Sequence, residues 1–257
     1  MMQAETKTKG VFFDLYGTLL IYGDVKAAWS DWLTGFYNAL CEDGLAMSQE
    51  AFASYCDAFF SRDEPPAINN GLTVFERRIL SLGTDLGLRL TAARTKHIAT
   101  TIADAWHKYM SLDPEALPIL MTLRRHGKRL ALVSNFDHPP CVRAVLSQHR
   151  LDSLFDAVVI SGDVGVKKPD PEIFAVALDA TDLKGREVMY VGDTDDDVKG
   201  ALAAGMMPVL IQRADQASHD ATQDFRSHSD TTQNPGAGGN GRVMTITRLS
   251  ELREIVR

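Results

Sequence analysis

Short apolar runs alternate along most of this chain with stretches whose apolar residues recur at helical spacing. The runs Gly10–Asp14, Arg129–Ser134, Asp156–Ser161, Val188–Gly192 and Met207–Ile211 have strand length and are rich in Val, Ile, Leu and Phe, with a sixth at Val243–Thr247. Because they carry little polar alternation, they read as strands covered on both faces. Helical patterns fall between them at Pro114–His126, Pro139–His149, Pro171–Thr181 and Asp195–Ala204. Three of these open with Pro in or beside the first turn, where its missing N–H is harmless. Strand and helix in alternation predict an α/β fold, a doubly wound (Rossmann-like) parallel sheet.

One stretch breaks the alternation. From about Val25 to Met110 the periodic segments all read as helices, and Val25, Ala28, Trp29, Trp32, Leu33, Phe36 and Leu40 form a single apolar stripe. The pattern predicts an all-helical lobe, residues 21–111, inserted in a core made of residues 1–20 and 112–257. Within that core, residues 214–241 are dominated by polar residues and Gly, ending PGAGGNG, and read as a long surface loop.

Composition narrows the function. A chain of 257 residues, 45% hydrophobic, can bury a substantial core. The net charge of −7 supplies no basic field for a nucleic acid backbone and argues against anionic membrane surfaces. Three cysteines without CxxC spacing argue against a disulfide framework and a structural zinc. No leader or membrane span is legible, so a cytoplasmic protein is the expectation. Nothing in the sequence speaks to the oligomeric state.

Four strand ends carry the chemistry. The run Val11-Phe12-Phe13-Asp14 stops abruptly in a carboxylate followed by Leu15-Tyr16-Gly17-Thr18. The second strand ends in a hydroxyl and an amide, Ser134-Asn135, where Ser134 Oγ and backbone N–H groups are suited to a developing anion. Lys168 precedes Pro169 in the segment GVKKPDP and can offer a fixed positive charge. The strand Val188–Gly192 runs into Asp193-Thr194-Asp195-Asp196-Asp197, whose carboxylates repel one another unless a cation or lysine compensates. Singly, each has an ordinary alternative: a turn-capping Asp, a plain Ser-Asn turn, a solvated lysine, an acidic helix N-terminus. That last reading is preferred for Asp195 and Asp196.

In this order, each at a strand end, the four elements resemble the haloacid dehalogenase-like superfamily, over roughly Gly10 to Ile211. The resemblance implies a hydrolase with Asp14 as nucleophile, Thr18 bracing it, Ser134 binding the substrate oxyanion and Lys168 neutralising charge, with Asn135 and Tyr16 the further catalytic candidates. It also implies a Mg²⁺ ion held by Asp14, the Tyr16 carbonyl and Asp193, with Asp197 either a further ligand or a partner behind the ligands, and the helical insert as a cap. The family's phosphatases carry a second Asp two residues beyond the nucleophile, acting as acid and base. Here that residue is Tyr16, with a reference pKa near 10, a poor base at neutral pH. Asp-x-Tyr-Gly-Thr resembles instead the family's 2-haloacid dehalogenases, whose halide leaves without a proton. Against dehalogenation stand Asp193, Phe174 where those enzymes carry a tyrosine, and the lack of an arginine between Asp14 and Arg62. Mg²⁺-dependent hydrolysis of a phosphorylated metabolite is therefore the leading expectation. Dehalogenation and a weak or inactive binding protein are the alternatives. For the substrate's remainder, Arg62, Arg77, Arg78, Trp106 and His138 are candidate contacts.

Overall fold

The computed structural model describes residues 8–65, 71–213 and 243–255. The chain opens with two strands, β1 (Gly10–Phe13) and β2 (Leu20–Tyr22), then four helices, α1 (Val25–Glu42), α2 (Gln49–Phe60), α3 (Val74–Asp85) and α4 (Ala92–His107). There follow β3 (Met110–Leu112), α5 (Ala116–Arg125), β4 (Arg129–Ser134), α6 (Pro139–Gln148), β5 (Ala157–Ile160) and a single turn α7 (Ser161–Val164). The chain continues through α8 (Pro171–Thr181), β6 (Val188–Gly192), α9 (Asp195–Ala203), β7 (Met207–Ile211) and β8 (Met244–Ile246).

Six strands form one sheet in the order β5-β4-β1-β6-β7-β8, parallel throughout. Strand β1 is flanked by β4 and β6, with Phe13 level with Leu132 on one side and Val191 on the other. Alternation along each strand sends Val11, Phe13, Leu130, Leu132, Met189 and Val191 to one face, where α5 and α6 cover them. Phe12, Ala131, Val133 and Tyr190 point to the other, under α8 and α9. Both faces are buried, as a doubly wound sheet requires, and this explains why the strands read as continuous apolar runs. The chain reverses direction across the sheet at β1, so the carboxyl ends of β1, β4 and β6 border one crevice.

Residues of α1 to α4 build a separate core. The stripe on α1 supplies Trp32, Phe36 and Leu40, which meet Phe52, Cys56 and Phe59 of α2, Ile79 and Leu82 of α3, and Ile98 and Ile102 of α4. Trp29 and Trp32 stack at 4.8 Å, and Phe36 packs edge-on to Phe52. Side chains cap these helices: Asp24 accepts from Ala27 N, and Thr73 and Glu76 form a reciprocal capping box at α3.

The helical periodicity predicted for this stretch matches the helices but missed what frames them. Strands β2 and β3 pair antiparallel, Leu20 with Leu112 and Tyr22 with Met110, so the outgoing and returning chains form a two-stranded ribbon. Three-residue strands carry too little alternation to stand out from their surroundings. The expected loop at 214–241 lies outside the described residues. Among the described residues, no helix is long and apolar enough to cross a membrane.

Candidate active site

Asp14 follows directly on β1, and its N–H donates to Val191 O at 2.9 Å, so the β-ladder fixes its backbone at the crevice. Its side chain is buried and accepts from Lys168 Nζ at 2.6 Å. Lys168 arrives from a loop between α7 and α8, and Asn135 holds that loop by two bonds. The Lys168 N–H donates to Asn135 Oδ1 at 2.8 Å, and Asn135 Nδ2 donates to Lys168 O at 3.0 Å. Asn135 thus aims the ammonium.

The same ammonium donates to Asp197 Oδ1 at 2.8 Å and to the Tyr190 hydroxyl at 3.3 Å. Tyr190, which packs edge-on against Phe174 at 4.9 Å, also places its hydroxyl 2.9 Å from Asp197 Oδ1 and 3.1 Å from Val133 O. Asp197 Oδ2 accepts from the Thr194 N–H at 3.1 Å and the Thr194 hydroxyl at 2.6 Å, inside the capping box that starts α9. Both oxygens of Asp197 are therefore engaged by protein donors. Burial opposes the Lys168 charge, but the Asp14 and Asp197 carboxylates outweigh it and raise its pKa above the ordinary lysine value.

Asp193 stands beside this pair. One carboxylate oxygen from each of Asp14, Asp193 and Asp197 lies within 4.8 Å of the others. Burial first, then repulsion from Asp14 and Asp197, pushes the Asp193 pKa well above the usual carboxylate range. The Thr18 hydroxyl, fully buried, lies 3.5 Å from Asp193 Oδ1. Gly17 has φ +87°, and a Cβ added there would sit 2.0 Å from Asp193 Oδ2, so the turn must carry glycine both for its backbone and for the carboxylate beside it.

Ser134 completes β4 and is wholly buried, yet its Oγ has no hydrogen-bond partner. A buried hydroxyl without a partner costs about 1–3 kcal/mol, so a site for an external acceptor is indicated. Tyr16 stacks on Phe136 at 4.9 Å, and its hydroxyl lies 2.8 Å from His107 Nε2 at the end of α4. Burial lowers the His107 pKa, which keeps the imidazole neutral at pH 7.

The structure brings Asp14, Lys168, Asp193 and Asp197 together, with Thr18 and Gly17 against Asp193. Tyr190 and Thr194 escaped the sequence reading. Tyr190 is the one hydroxyl-bearing residue in the otherwise apolar run VMYVG, and Thr194 with Asp197 has capping-box spacing. The candidate substrate contacts fare differently. Arg62 forms an ion pair with Asp85, while Arg77 donates to Leu72 O and Arg78 to Phe60 O and Arg62 O. His138 is buried, with Nδ1 3.0 Å from Thr73 Oγ1, tying the insert to the loop that follows β4. Lys167 reinforces that seam with ion pairs to Asp137 and Glu64.

A family model described as haloacid dehalogenase-like hydrolase matches residues 8–205. Among curated proteins, the chain is similar to the glyceraldehyde 3-phosphate phosphatase of Methanopyrus kandleri, 34% identical over 145 residues, 54% of this chain and 58% of that protein. The chain spans about half the length of the curated relatives it matches first. Relatives matched over longer stretches are also named phosphatases. Among solved structures, a HAD phosphatase from Thermococcus onnurineus superposes with TM-score 0.63 at 24% identity, covering 97% of this chain and 98% of that one. A 2-haloacid dehalogenase from Pseudomonas syringae pv. Tomato DC3000 superposes with TM-score 0.61 at 19% identity, covering 97% and 98%. The likeness to both is one of fold.

Proposed function

Because this chain belongs to the haloacid dehalogenase-like hydrolase family, we propose that it hydrolyses a small phosphate monoester, with Asp14 as the nucleophile. The observation that carries the reading is the charge imbalance of the site. Three carboxylates gather about one ammonium, and burial, with repulsion from Asp14 and Asp197, raises the Asp193 pKa against the pull of Lys168. A dehalogenase has no use for such a group. Hard oxygen donors at this spacing fit Mg²⁺. We assign the ion to Asp14, Asp193 and the Tyr16 carbonyl, while Asp197, engaged by Lys168, Tyr190 and Thr194, closes the acidic wall and fixes the lysine. When bound, Mg²⁺ supplies the positive charge that lets an anionic nucleophile approach a phosphate.

The residues then divide the work. Lys168 holds Asp14 Oδ1 and so sets the direction of the carboxylate. Asp14 attacks phosphorus, the bond to the leaving alcohol breaks, and an acyl phosphate on Asp14 is formed; water later hydrolyses it and restores the carboxylate. Ser134 donates its unpartnered hydroxyl to a phosphate oxygen. The helical insert serves as the cap that excludes water from the first step. The phosphatase names of the curated relatives support a small phosphorylated metabolite as substrate.

Tyr16 occupies the place of an acid, but its hydroxyl is engaged by His107. The leaving alcohol must find its proton elsewhere, so aryl phosphates should turn over better than alkyl phosphates. Tyr16→Asp should raise kcat on an alkyl phosphate by about tenfold or more, since a positioned general acid contributes about 10²–10⁴. It should also lower the melting temperature, because a stacked, buried ring is lost. Steady-state assays on matched aryl and alkyl esters check this, and a fall in kcat on both would assign Tyr16 a direct part.

A dehalogenase reading keeps one specific support, Tyr16 itself. The discriminating experiment is p-nitrophenyl phosphate hydrolysis with and without chelator, beside halide release from 2-chloropropionate without metal. Metal-dependent phosphate release is expected; halide release would favour dehalogenation, and silence in both a binding protein. A further test lies in Gly17→Ala. The φ strain should cost roughly 1–3 kcal/mol in a thermal melt, and displacement of Asp193 should cut phosphate release more than tenfold.

A further inference from the structure

Arg213, one residue beyond the Gln212 that follows β7, lies far in sequence from the nucleophile yet holds its loop. One guanidinium nitrogen donates to Gly17 O, and the other to Thr18 O at 2.7 Å and to Asp113 Oδ2 at 2.6 Å. The arginine side chain is 12% exposed and the Asp113 side chain 7%, so the fork is shielded from water. Asp113 follows β3, and its N–H donates to Leu19 O at 2.9 Å. Its other oxygen accepts from the Glu115 N–H at 2.8 Å. A single guanidinium therefore joins the chain leaving the sheet for the helical insert, the chain returning from it, and the end of β7.

The two carbonyls it grips belong to the residues that press on Asp193. Gly17 lies against the Asp193 carboxylate so closely that no Cβ fits between them, and the Thr18 hydroxyl points at Asp193 Oδ1. The peptide planes of Gly17 and Thr18 thus fix where that carboxylate can lie relative to Asp14. We propose that Arg213 is a positioning residue for the divalent-cation site: its fork over the Gly17 and Thr18 carbonyls holds Asp193 and Asp14 at ligand spacing. The inference rests on the metal reading proposed above. A lysine cannot reproduce the fork, because its single nitrogen cannot span two consecutive carbonyls and a carboxylate with the fixed planar geometry of arginine.

The test is Mg²⁺ titration of the full-length protein by calorimetry, paired with kcat and KM on p-nitrophenyl phosphate. Arg213→Lys should weaken Mg²⁺ binding at least about tenfold, within the range found for residues that orient ligands, and lower kcat with KM changed by less than about twofold. Asp113→Asn, which leaves both carbonyl bonds in place, should lower the melting temperature and weaken Mg²⁺ binding by about threefold at most. Should Arg213→Lys not fold, the double variant Asp113→Asn/Arg213→Gln, which leaves no buried charge unpaired, carries the same expectation as Arg213→Lys. Wild-type Mg²⁺ affinity in the Arg213 variant, with only a lower melting temperature, would reduce the arginine to a structural staple and overturn the inference alone. Equal losses in the Arg213 and Asp113 variants would overturn it too. A wild-type protein that binds no Mg²⁺ overturns the inference and the metal reading together.

Discussion

Replacing Lys168 by Met should destabilise the protein by about 3–5 kcal/mol at neutral pH and remove measurable turnover, the largest combined effect expected of any single substitution here. Methionine fills much of the same volume, so the loss is electrostatic. Asp14 and Asp197 are both buried, and the ammonium that bonds them at 2.6 and 2.8 Å is gone. Asp193, already disfavoured as an anion by burial and by these two neighbours, adds a third charge. The pH dependence follows from the sign. Buried carboxylates without a cation have folded-state pKa values above the unfolded ones, so the folded form binds protons that the unfolded form releases, and stability falls as pH rises through the raised values. The variant should therefore melt higher near pH 5 than near pH 8. Chemical denaturation at the two pH values checks this, and a loss below about 1 kcal/mol would mean the lysine is a peripheral partner.

Asp14→Asn separates activity from stability. Turnover should fall by at least about 10⁴-fold, as removal of a covalent nucleophile does. Stability should hold or rise by about 0.5–2 kcal/mol, because one of three mutually repelling carboxylates becomes neutral. Lys168 keeps its bond to Asp197 and stays satisfied. Phosphate-release assays and a melt on the same preparation read both quantities. Residual activity above about 1% of wild type would place the nucleophile elsewhere.

Much of this was legible in the sequence because the fold repeats one local rule. A buried parallel strand is apolar along its length, and the position where polarity returns marks the edge of the crevice. Arg129–Ser134, Val188–Gly192 and Met207–Ile211 agree with the structure residue for residue, and Pro171–Thr181 does so among the helices. Asp14 and Asp193 each follow directly on such a boundary, Asp197 lies in the first turn of the helix beyond β6, Lys168 reaches them from the loop after α7, and the structure brings the four together. What escaped depends on tertiary placement. Arg213 and Asp113 look like surface charges at the ends of elements until the sheet sets them 2.6 Å apart. Tyr190 reads as strand interior, and only the arrival of Lys168 from another loop makes its hydroxyl part of the site. His107 meets Tyr16 over a sequence separation of 91, a contact no local pattern encodes. The ribbon of β2 and β3 was too short to announce itself.

Asp14 should be phosphorylated during turnover when Mg²⁺ is present. The direct measurement is an acid quench of the protein during p-nitrophenyl phosphate hydrolysis, followed by proteolysis and mass determination of the peptide that contains Asp14. A phosphoryl increment on that peptide, absent with chelator and absent in Asp14→Asn, is the predicted result. Brisk Mg²⁺-dependent hydrolysis in which the Asp14 peptide never gains mass, at any quench time, would contradict it.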